Sequence, residues 1–324
     1  MLTGFLRCVC SVSLKRTVRA LMEVLIPLSQ FVNVTYYHHS GFSASIEDIL
    51  LVFDYWQGEN QELPEEKRIT PEFLQKFREI YVFISHEHQD HMDPAVFEWR
   101  KIVPVTYVVS MDMPVGTRGK RVSPGDVVKL SDRVTVKGFE STDLGVSFLV
   151  EACGVKLFHA GDLNFWHWRE ESTVKEIEEA EEAFRHAVDS ITKEEIDLAF
   201  FPVDPRQGRL FDAGANYFIL SVKPRLMIPM HYWGRAEIAV EFARRSRCRQ
   251  TEIIAMTCPG EQFRLEMDDQ GYMTVHLLSA VEPKPLTRAG SELPIADKRG
   301  SVDLDSYDGN DPFSETDLPV RLDD

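Results

Sequence analysis

The chain has 324 residues, of which 44% are hydrophobic and 27% are charged, and its formal net charge at pH 7 is −16. This length allows one large α/β domain or two smaller ones. The negative charge argues against a large nucleic-acid interface, because a surface that binds a polyanion needs clustered Lys and Arg. No apolar run approaches the length that spans a bilayer, so no membrane partner is predicted. Five cysteines without a C-x-x-C pair predict reduced thiols in a cytoplasmic protein.

The two ends of the chain differ in charge from the middle. Residues 1–21 carry four basic side chains and no acidic one, and we interpret them as a basic N-terminal extension. A targeting peptide is the competing interpretation, but charges interrupt the apolar core that it would need. Residues 281–324 lose apolar content and become acidic, which predicts a disordered, solubilising tail, with partner binding as the alternative. The folded domain is therefore expected over residues 22–280.

Apolar strands alternate with amphipathic helices through this domain. Period-two runs rich in Val, Ile and aromatic residues predict strands at 23–37, 46–55, 81–84, 103–109, 127–130, 134–139, 146–150, 155–158, 196–203, 226–230, 252–256 and 262–265. Capping residues and apolar stripes predict helices at 71–78, 94–99, 168–190, 213–222 and 238–247. This alternation implies sheets covered by helices, and by itself it predicts only an α/β fold.

The most informative motif follows the strand at 81–84. It reads His86-Glu87-His88-Gln89-Asp90-His91, so three imidazoles and one carboxylate that can bind metal fall within six residues. A loop at a strand end with this ligand chemistry suits Zn²⁺ or a similar divalent ion. A solvated polar loop is the alternative interpretation.

Together with three other segments, this motif resembles the metallo-β-lactamase superfamily of metal-dependent hydrolases. Residues 49–54 resemble its early strand that ends in Asp, here Asp54. Residues 158–162 resemble its Gly-Asp motif, and residues 227–231 resemble the late strand that delivers the final His. The resemblance implies an αββα four-layer sandwich of two mixed sheets, with metals at one rim. It is specific for the superfamily and not for any substrate.

The resemblance also implies a binuclear centre, most simply with two zinc ions. Two such cations polarise a substrate oxygen and hold a hydroxide at neutral pH, which Asp90 would orient as the catalytic side chain. The resemblance implies that His86 and His88 bind the first metal. It implies that Asp90, His91 and His231 bind the second metal and that Asp162 bridges the two.

One ligand of the family pattern is missing. Most members place a further His on a strand before the Gly-Asp motif, whereas this chain has no His between Met92 and Phe158. Asp143, or else Glu140, is a candidate replacement, and an oxygen-richer site would accept Mn²⁺ or Fe²⁺ as well as Zn²⁺. Otherwise water completes the first site, or only the second site fills.

Several further residues lie beside these motifs in the sequence. Asp54 is predicted to support the His-rich loop, and His159 to hydrogen-bond a metal ligand. His39 or His38 is the predicted proton donor. His167, Trp168 and Trp233 are predicted to line an aromatic pocket, and Arg206 or Arg235 to bind an anionic group beside it. For each residue, ordinary core packing or a surface ion pair is the alternative interpretation.

The predicted function is metal-dependent hydrolysis, by a metal-bound hydroxide, of a small ester, lactone or phosphodiester. An anionic substrate would make use of the arginines. A nuclease of the same fold is one alternative, and the charge balance and lack of a basic arm count against it. A non-catalytic metal-binding protein with a degenerate first site is another, and the intact set of other ligands counts against it. A small molecule is the predicted partner.

Overall fold

The computed structural model describes residues 29–58, 63–246, 250–268 and 270–278. These residues all lie within one compact unit, Met1–Val281. The predicted N-terminal extension and the predicted acidic tail fall outside the described residues, so their boundaries stay predictions. No helix in the described parts of the chain combines the length and the apolar character that crossing a membrane requires.

Fifteen strands and four α-helices make up the described structure. Strands β1 to β15 span Gln30–His38, Gly41–Ile46, Ile49–Phe53, Glu79–Ile84, Thr106–Ser110, Lys120–Val122, Val127–Lys129, Val134–Glu140, Val146–Ala152, Val155–His159, Leu198–Pro202, Leu226–Met230, Glu252–Ile253, Gln262–Met267 and Met273–Leu277. Helices α1 to α4 span Pro71–Leu74, Val174–Ile191, Ala213–Val222 and Ala236–Arg245. Short 3-10 segments lie at Glu65–Lys67, Pro94–Lys101 and Pro205–Leu210.

The strands form two mixed sheets. The eight-stranded sheet has the order β15-β14-β1-β2-β3-β4-β5-β6, and the seven-stranded sheet has the order β13-β12-β11-β10-β9-β8-β7. Neighbours from β3 to β6 and from β10 to β13 pair in parallel, and the other pairs are antiparallel. Because parallel strands end at the same edge, each sheet has one rim where several strand ends meet.

The two sheets pack face to face through aromatic side chains. Phe42 of the larger sheet lies 4.4 Å, between ring centroids, from Phe200 of the smaller one. Phe83 similarly lies 5.5 Å from Phe148. Alternate residues of β3 and β4, such as Leu50, point to the opposite face and pack in a second apolar cluster beneath α1 and the segment Pro94–Lys101. Since both faces of these strands are buried, they read in the sequence as continuous apolar runs.

The observed architecture confirms the predicted αββα sandwich of two mixed sheets. The strand predicted at 46–55 is present as β3 but begins later, at Ile49, because the chain turns at Glu47-Asp48 in a hairpin with β2, a strand that was not predicted. Glu47 takes a left-handed φ of 53° there, a turn without the usual Gly or Asn signal. The helix predicted at 168–190 begins later, at Val174, where Thr173 and Glu176 form a capping box. Strands β6 and β15 were not predicted.

At Gly145 the backbone of the smaller sheet packs closely against the His-rich loop that follows β4 of the larger sheet. The amide of Val146 donates to the Ser85 carbonyl over 3.1 Å. A Cβ at Gly145, whose φ is +84°, would lie 2.0 Å from that carbonyl oxygen and 2.7 Å from the His86 Cβ. No side chain fits at this close backbone approach, so a ligand could not be delivered from this position.

We expect Gly145→Ala to destabilise the protein more than Gly154→Ala. Both glycines have a φ of +84°, so both variants carry the left-handed backbone cost of about 1–2 kcal/mol. A Cβ at Gly154 meets nothing within 4 Å, whereas at Gly145 the clash adds a cost of about 1–3 kcal/mol. Urea unfolding of the two variants measures the difference, and equal losses would show that the close approach is unimportant.

Candidate metal centre

The rims of the two sheets meet where the polar residues of the motifs lie. The segments that follow the parallel strands β3, β4, β10, β11 and β12 carry, in that order, Asp54, Ser85 with His86, Asp162, Asp204 and His231. The fold therefore gathers strand ends that are far apart in the sequence, as expected for a site at the carboxyl ends of parallel strands.

Seven side chains at this rim form two adjoining groups of candidate ligands. The first site consists of His86, His88 and Asp162, and the second site consists of His39, Asp90, His91 and His231. Within each group, the potential ligand atoms all lie within 4.8 Å of one another. The six ligands implied by the sequence motifs are thus brought together, and His39 joins them.

Asp162 lies between the two sites. Its Oδ1 is 3.0 Å from His91 Nε2 and 3.3 Å from His231 Nε2. Its Oδ2 faces the first site, 3.4 Å from His86 Nε2. One oxygen of the Asp162 carboxylate therefore faces each group of candidate ligands.

Buried acceptors fix the imidazoles with Nε2 toward the centre. His91 Nδ1 donates to Asp54 Oδ2 over 2.8 Å, and His231 Nδ1 donates to Asp204 Oδ2 over 3.0 Å. Ser85 Oγ donates to Asp54 over 2.6 Å and lies 2.9 Å from His86 Nδ1, from which it accepts. Such partners hold a ligating imidazole in one tautomer and orientation.

The donor set fits a divalent cation. His91 Nε2, His231 Nε2 and Asp162 Oδ1 are buried and make no hydrogen bond. Buried polar atoms without partners are costly, and a cation bound between them would satisfy all three. Imidazole nitrogens with carboxylate oxygens are a ligand set that suits Zn²⁺, and also Fe²⁺ or Mn²⁺.

The carboxylates set the charge state of the metal-free centre. Burial by itself would lower the pKa of His91, but the negative charges of Asp162 and Asp54 and the hydrogen bond to Asp54 raise it well above its usual range. The pKa of His231 is raised for the same reasons, with Asp204 as its second carboxylate partner. Burial and the neighbouring His231 instead lower the pKa of His39 to about 3, so this imidazole is neutral at pH 7.

The backbone around the centre is strained. Non-glycine residues with a left-handed φ include His39 (52°), Asp54 (40°), Trp168 (34°), His231 (64°) and Trp233 (52°). Such conformations concentrate at functional sites, where surrounding contacts hold a side chain in position against the cost.

Aromatic rings and one arginine flank the second site. Trp233 lies 4.5 Å from the His39 ring, and Trp166 lies 5.7 Å from the His231 ring and stacks on Trp168. The Arg206 guanidinium lies 4.6 Å from the Trp233 ring and 5.5 Å from that of Trp168. The tryptophan cluster expected from the sequence is therefore present beside the metal ligands.

Other predicted site residues lie farther from the centre. His159 is buried behind Asp54, with Nδ1 3.7 Å from Asp54 Oδ2 and Nε2 donating to the Ser40 carbonyl. His167 is buried, with Nε2 3.3 Å from the Leu210 carbonyl, and belongs to neither site. Arg235 is exposed and pairs with Glu237.

Asp143 belongs to neither group of ligands. It is exposed, and its carboxylate accepts from the following amide, that of Leu144. Glu140 is also exposed, 3.8 Å from His186. The replacement of the missing His by Asp143 stays a prediction that no contact among the described residues supports.

Sequence reasoning missed two features of the centre. Asp204 was not singled out, although it follows the buried strand β11 as Asp54 follows β3, and this pattern could have identified it. His39 was assigned a proton-donor role rather than a place among the ligands, because nothing in the local sequence connects it with His231.

Comparisons with known proteins find metal-dependent hydrolases. The chain is similar in structure to Igni18, described as a metallo hydrolase from Ignicoccus hospitalis, with a TM-score of 0.54 and 19% identity over 72% of this chain and 98% of that protein. Two curated relatives are each named UPF0173 metal-dependent hydrolase. That of Pyrobaculum neutrophilum is 22% identical over 61% of this chain and 83% of its own length. That of Opitutus terrae is 26% identical over 72% of this chain and 99% of its own length.

No protein-family model matches the chain. The fold is nevertheless a metallo-β-lactamase-like αββα sandwich of two mixed sheets, as the motifs predicted. The names of the relatives agree with the predicted class of protein, a metal-dependent hydrolase.

Metal binding should release protons. In the metal-free protein the raised pKa values of His91 and His231 favour their protonated forms, and a cation must displace such protons to reach Nε2. We expect Zn²⁺ affinity to fall as the pH is lowered, about tenfold per pH unit for each displaced proton. Calorimetry at pH 7 in two buffers of different ionisation enthalpy measures this release, and a buffer-independent heat would contradict it.

Proposed function

We propose that this metal-dependent hydrolase holds two divalent cations, with Zn²⁺ the ion best suited to its ligands, and acts on a small anionic substrate. The observation that carries the proposal is the position of Asp162 between two groups of ligands, with one carboxylate oxygen toward each. Two cations about 3.5–4 Å apart supply charge stabilisation for the substrate oxygens and acidify a bound water.

Within that centre the chain's own residues divide the work. His86 and His88 would hold one cation, and His91 and His231 the other. Asp90 is the second-site carboxylate with access to solvent, since its side chain is 18% exposed while that of Asp162 is 6% exposed. Burial would raise the pKa of Asp90, but the nearby imidazoles of His39, His91 and His231 hold it below its usual value. Asp90 is thus an anion that can orient an attacking water by accepting its hydrogen bond.

Arg206 supports the choice of an anionic substrate. Its Nε donates to both oxygens of the buried Asp204, at 3.0 and 2.9 Å, which fixes the guanidinium beside the second site. Trp168 and Trp233 flank it, and half of its side chain remains exposed. A planar guanidinium held in this way can bind a phosphate or carboxylate group of a substrate.

The function is tested by assaying purified protein loaded with Zn²⁺, Mn²⁺ or Fe²⁺ against phosphodiesters, lactones and thioesters, with single- and double-stranded nucleic acids as a separate arm. We expect hydrolysis of a small anionic substrate that a chelator abolishes and metal restores. Activity confined to nucleic acids would replace this proposal with the nuclease, and metal binding without any hydrolysis would favour a non-catalytic role.

Removal of the arginine should weaken binding of an anionic substrate selectively. For Arg206→Ala we expect KM to rise about 10- to 100-fold, the range for losing a hydrogen-bonded charged group. KM for a neutral ester should change much less, and Arg206→Lys should recover part of the loss. Arg235→Ala is the matched control, because Arg235 is exposed and pairs with Glu237. An equal effect of Arg206→Ala on neutral and anionic substrates would contradict the assignment.

A further inference from the structure

The two groups of ligands are unequal in number and burial. The second site offers three imidazoles, all buried, and the carboxylate of Asp90, whereas the first site offers two imidazoles, of which His88 is not buried. The extra imidazole is that of His39. We propose that His39 is a metal ligand of the second site, which makes this site the tighter one and leaves the first site the exchangeable one. The inference rests on the metal centre proposed above and not on its activity.

His39 is positioned as a ligand by the backbone. It follows directly after strand β1 and takes a left-handed φ of 52°, and His231 takes one of 64°. The carbonyl of His39 accepts a hydrogen bond from the amide of His231 over 3.4 Å, and the two rings lie 4.0 Å apart. This hydrogen bond thus links the two strained residues, His39 and His231, at the point where both imidazoles face the second site.

The surroundings of the ring argue against a simple hydrogen-bonding role. His39 Nε2 lies 3.2 Å from Asp90 Oδ2, yet neither ring nitrogen makes a hydrogen bond of good geometry. A histidine that only supported Asp90 should donate to it in line and should be anchored through its other nitrogen. Packing against Trp233 at 4.5 Å and Trp56 at 5.8 Å holds the ring instead. A cation in the second site would supply a partner for the buried ring nitrogen that faces it.

The number of ligands then distinguishes the two sites. Zinc bound by four protein ligands is closed, whereas zinc bound by three keeps a position for water or substrate. With His39 included, the second site has four ligands of its own, and Asp162 Oδ1 also faces it. The first site has His86, His88 and one oxygen of Asp162. The chain that lacks the usual further His at the first site therefore has an additional imidazole at the second.

Metal titration of variants tests this inference without an activity assay. Wild-type protein should bind Zn²⁺ in two steps of different affinity, measured by competition with a chelating dye. For His39→Ala we expect the tighter step to weaken at least 10- to 100-fold, the range known for residues that merely support a ligand. For His88→Ala, the matched loss of an imidazole from the first site, we expect the tighter step to be unchanged and the weaker step to be lost. His276→Ala, remote and exposed, should bind as the wild type does.

His39→Gln separates ligation from hydrogen bonding, because an amide can donate to Asp90 but binds zinc poorly. Ligation predicts that His39→Gln behaves like His39→Ala, and recovery of the tighter step would overturn the proposal. X-ray absorption of protein with one equivalent of Zn²⁺ should count three imidazoles in the wild type and two in His39→Gln. A wild-type count of two that His39→Gln leaves unchanged would also overturn it. Thermal unfolding of the metal-free variants checks that each one folds, and bound metal without hydrolysis would count against the proposed function alone.

Discussion

Two buried carboxylates, one in each sheet, position the imidazoles on which the metal centre depends. Asp54 follows β3 in the larger sheet and accepts from Ser85 and His91, while Asp204 follows β11 in the smaller sheet and accepts from His231. Each carboxylate leaves the Nε2 of its imidazole toward the centre. Because the two sheets pack face to face, these two hydrogen bonds orient His91 and His231 toward the same atom, Asp162 Oδ1.

A centre built in this way carries charge and strain in the metal-free protein. Asp54, Asp162 and Asp204 are buried, and their negative charges raise the pKa values of His91 and His231, the imidazoles between them. Residues with left-handed φ at His39 and His231 add conformational cost at the same rim. A bound cation would replace the protons and would satisfy the unpaired nitrogen atoms, so metal binding and stability of this rim are expected to be linked.

The environment of the centre differs from one side to the other. On the side of the second site, indole rings and Arg206 form a wall that can hold an anionic group close to Asp90. On the side of the first site, Gly145 packs its backbone on the His-rich loop, and Asp143 stays in solvent. This asymmetry supports the proposal that the second site binds its cation tightly and that the cation of the more open first site exchanges and contacts the substrate.

The sequence alone determined the alternation of apolar strands and amphipathic helices, and it placed four imidazoles and two carboxylates at strand ends, because strand periodicity and ligand chemistry are both local properties of the chain. It also predicted the tryptophans near the motifs. It did not reveal the turn at Glu47-Asp48, which lacks Gly, Asn and Pro, nor the roles of Asp204 and His39. Only the tertiary structure decided those, since the packing of two sheets, and not any spacing along the chain, brings His39 of the first strand against His231 after the twelfth.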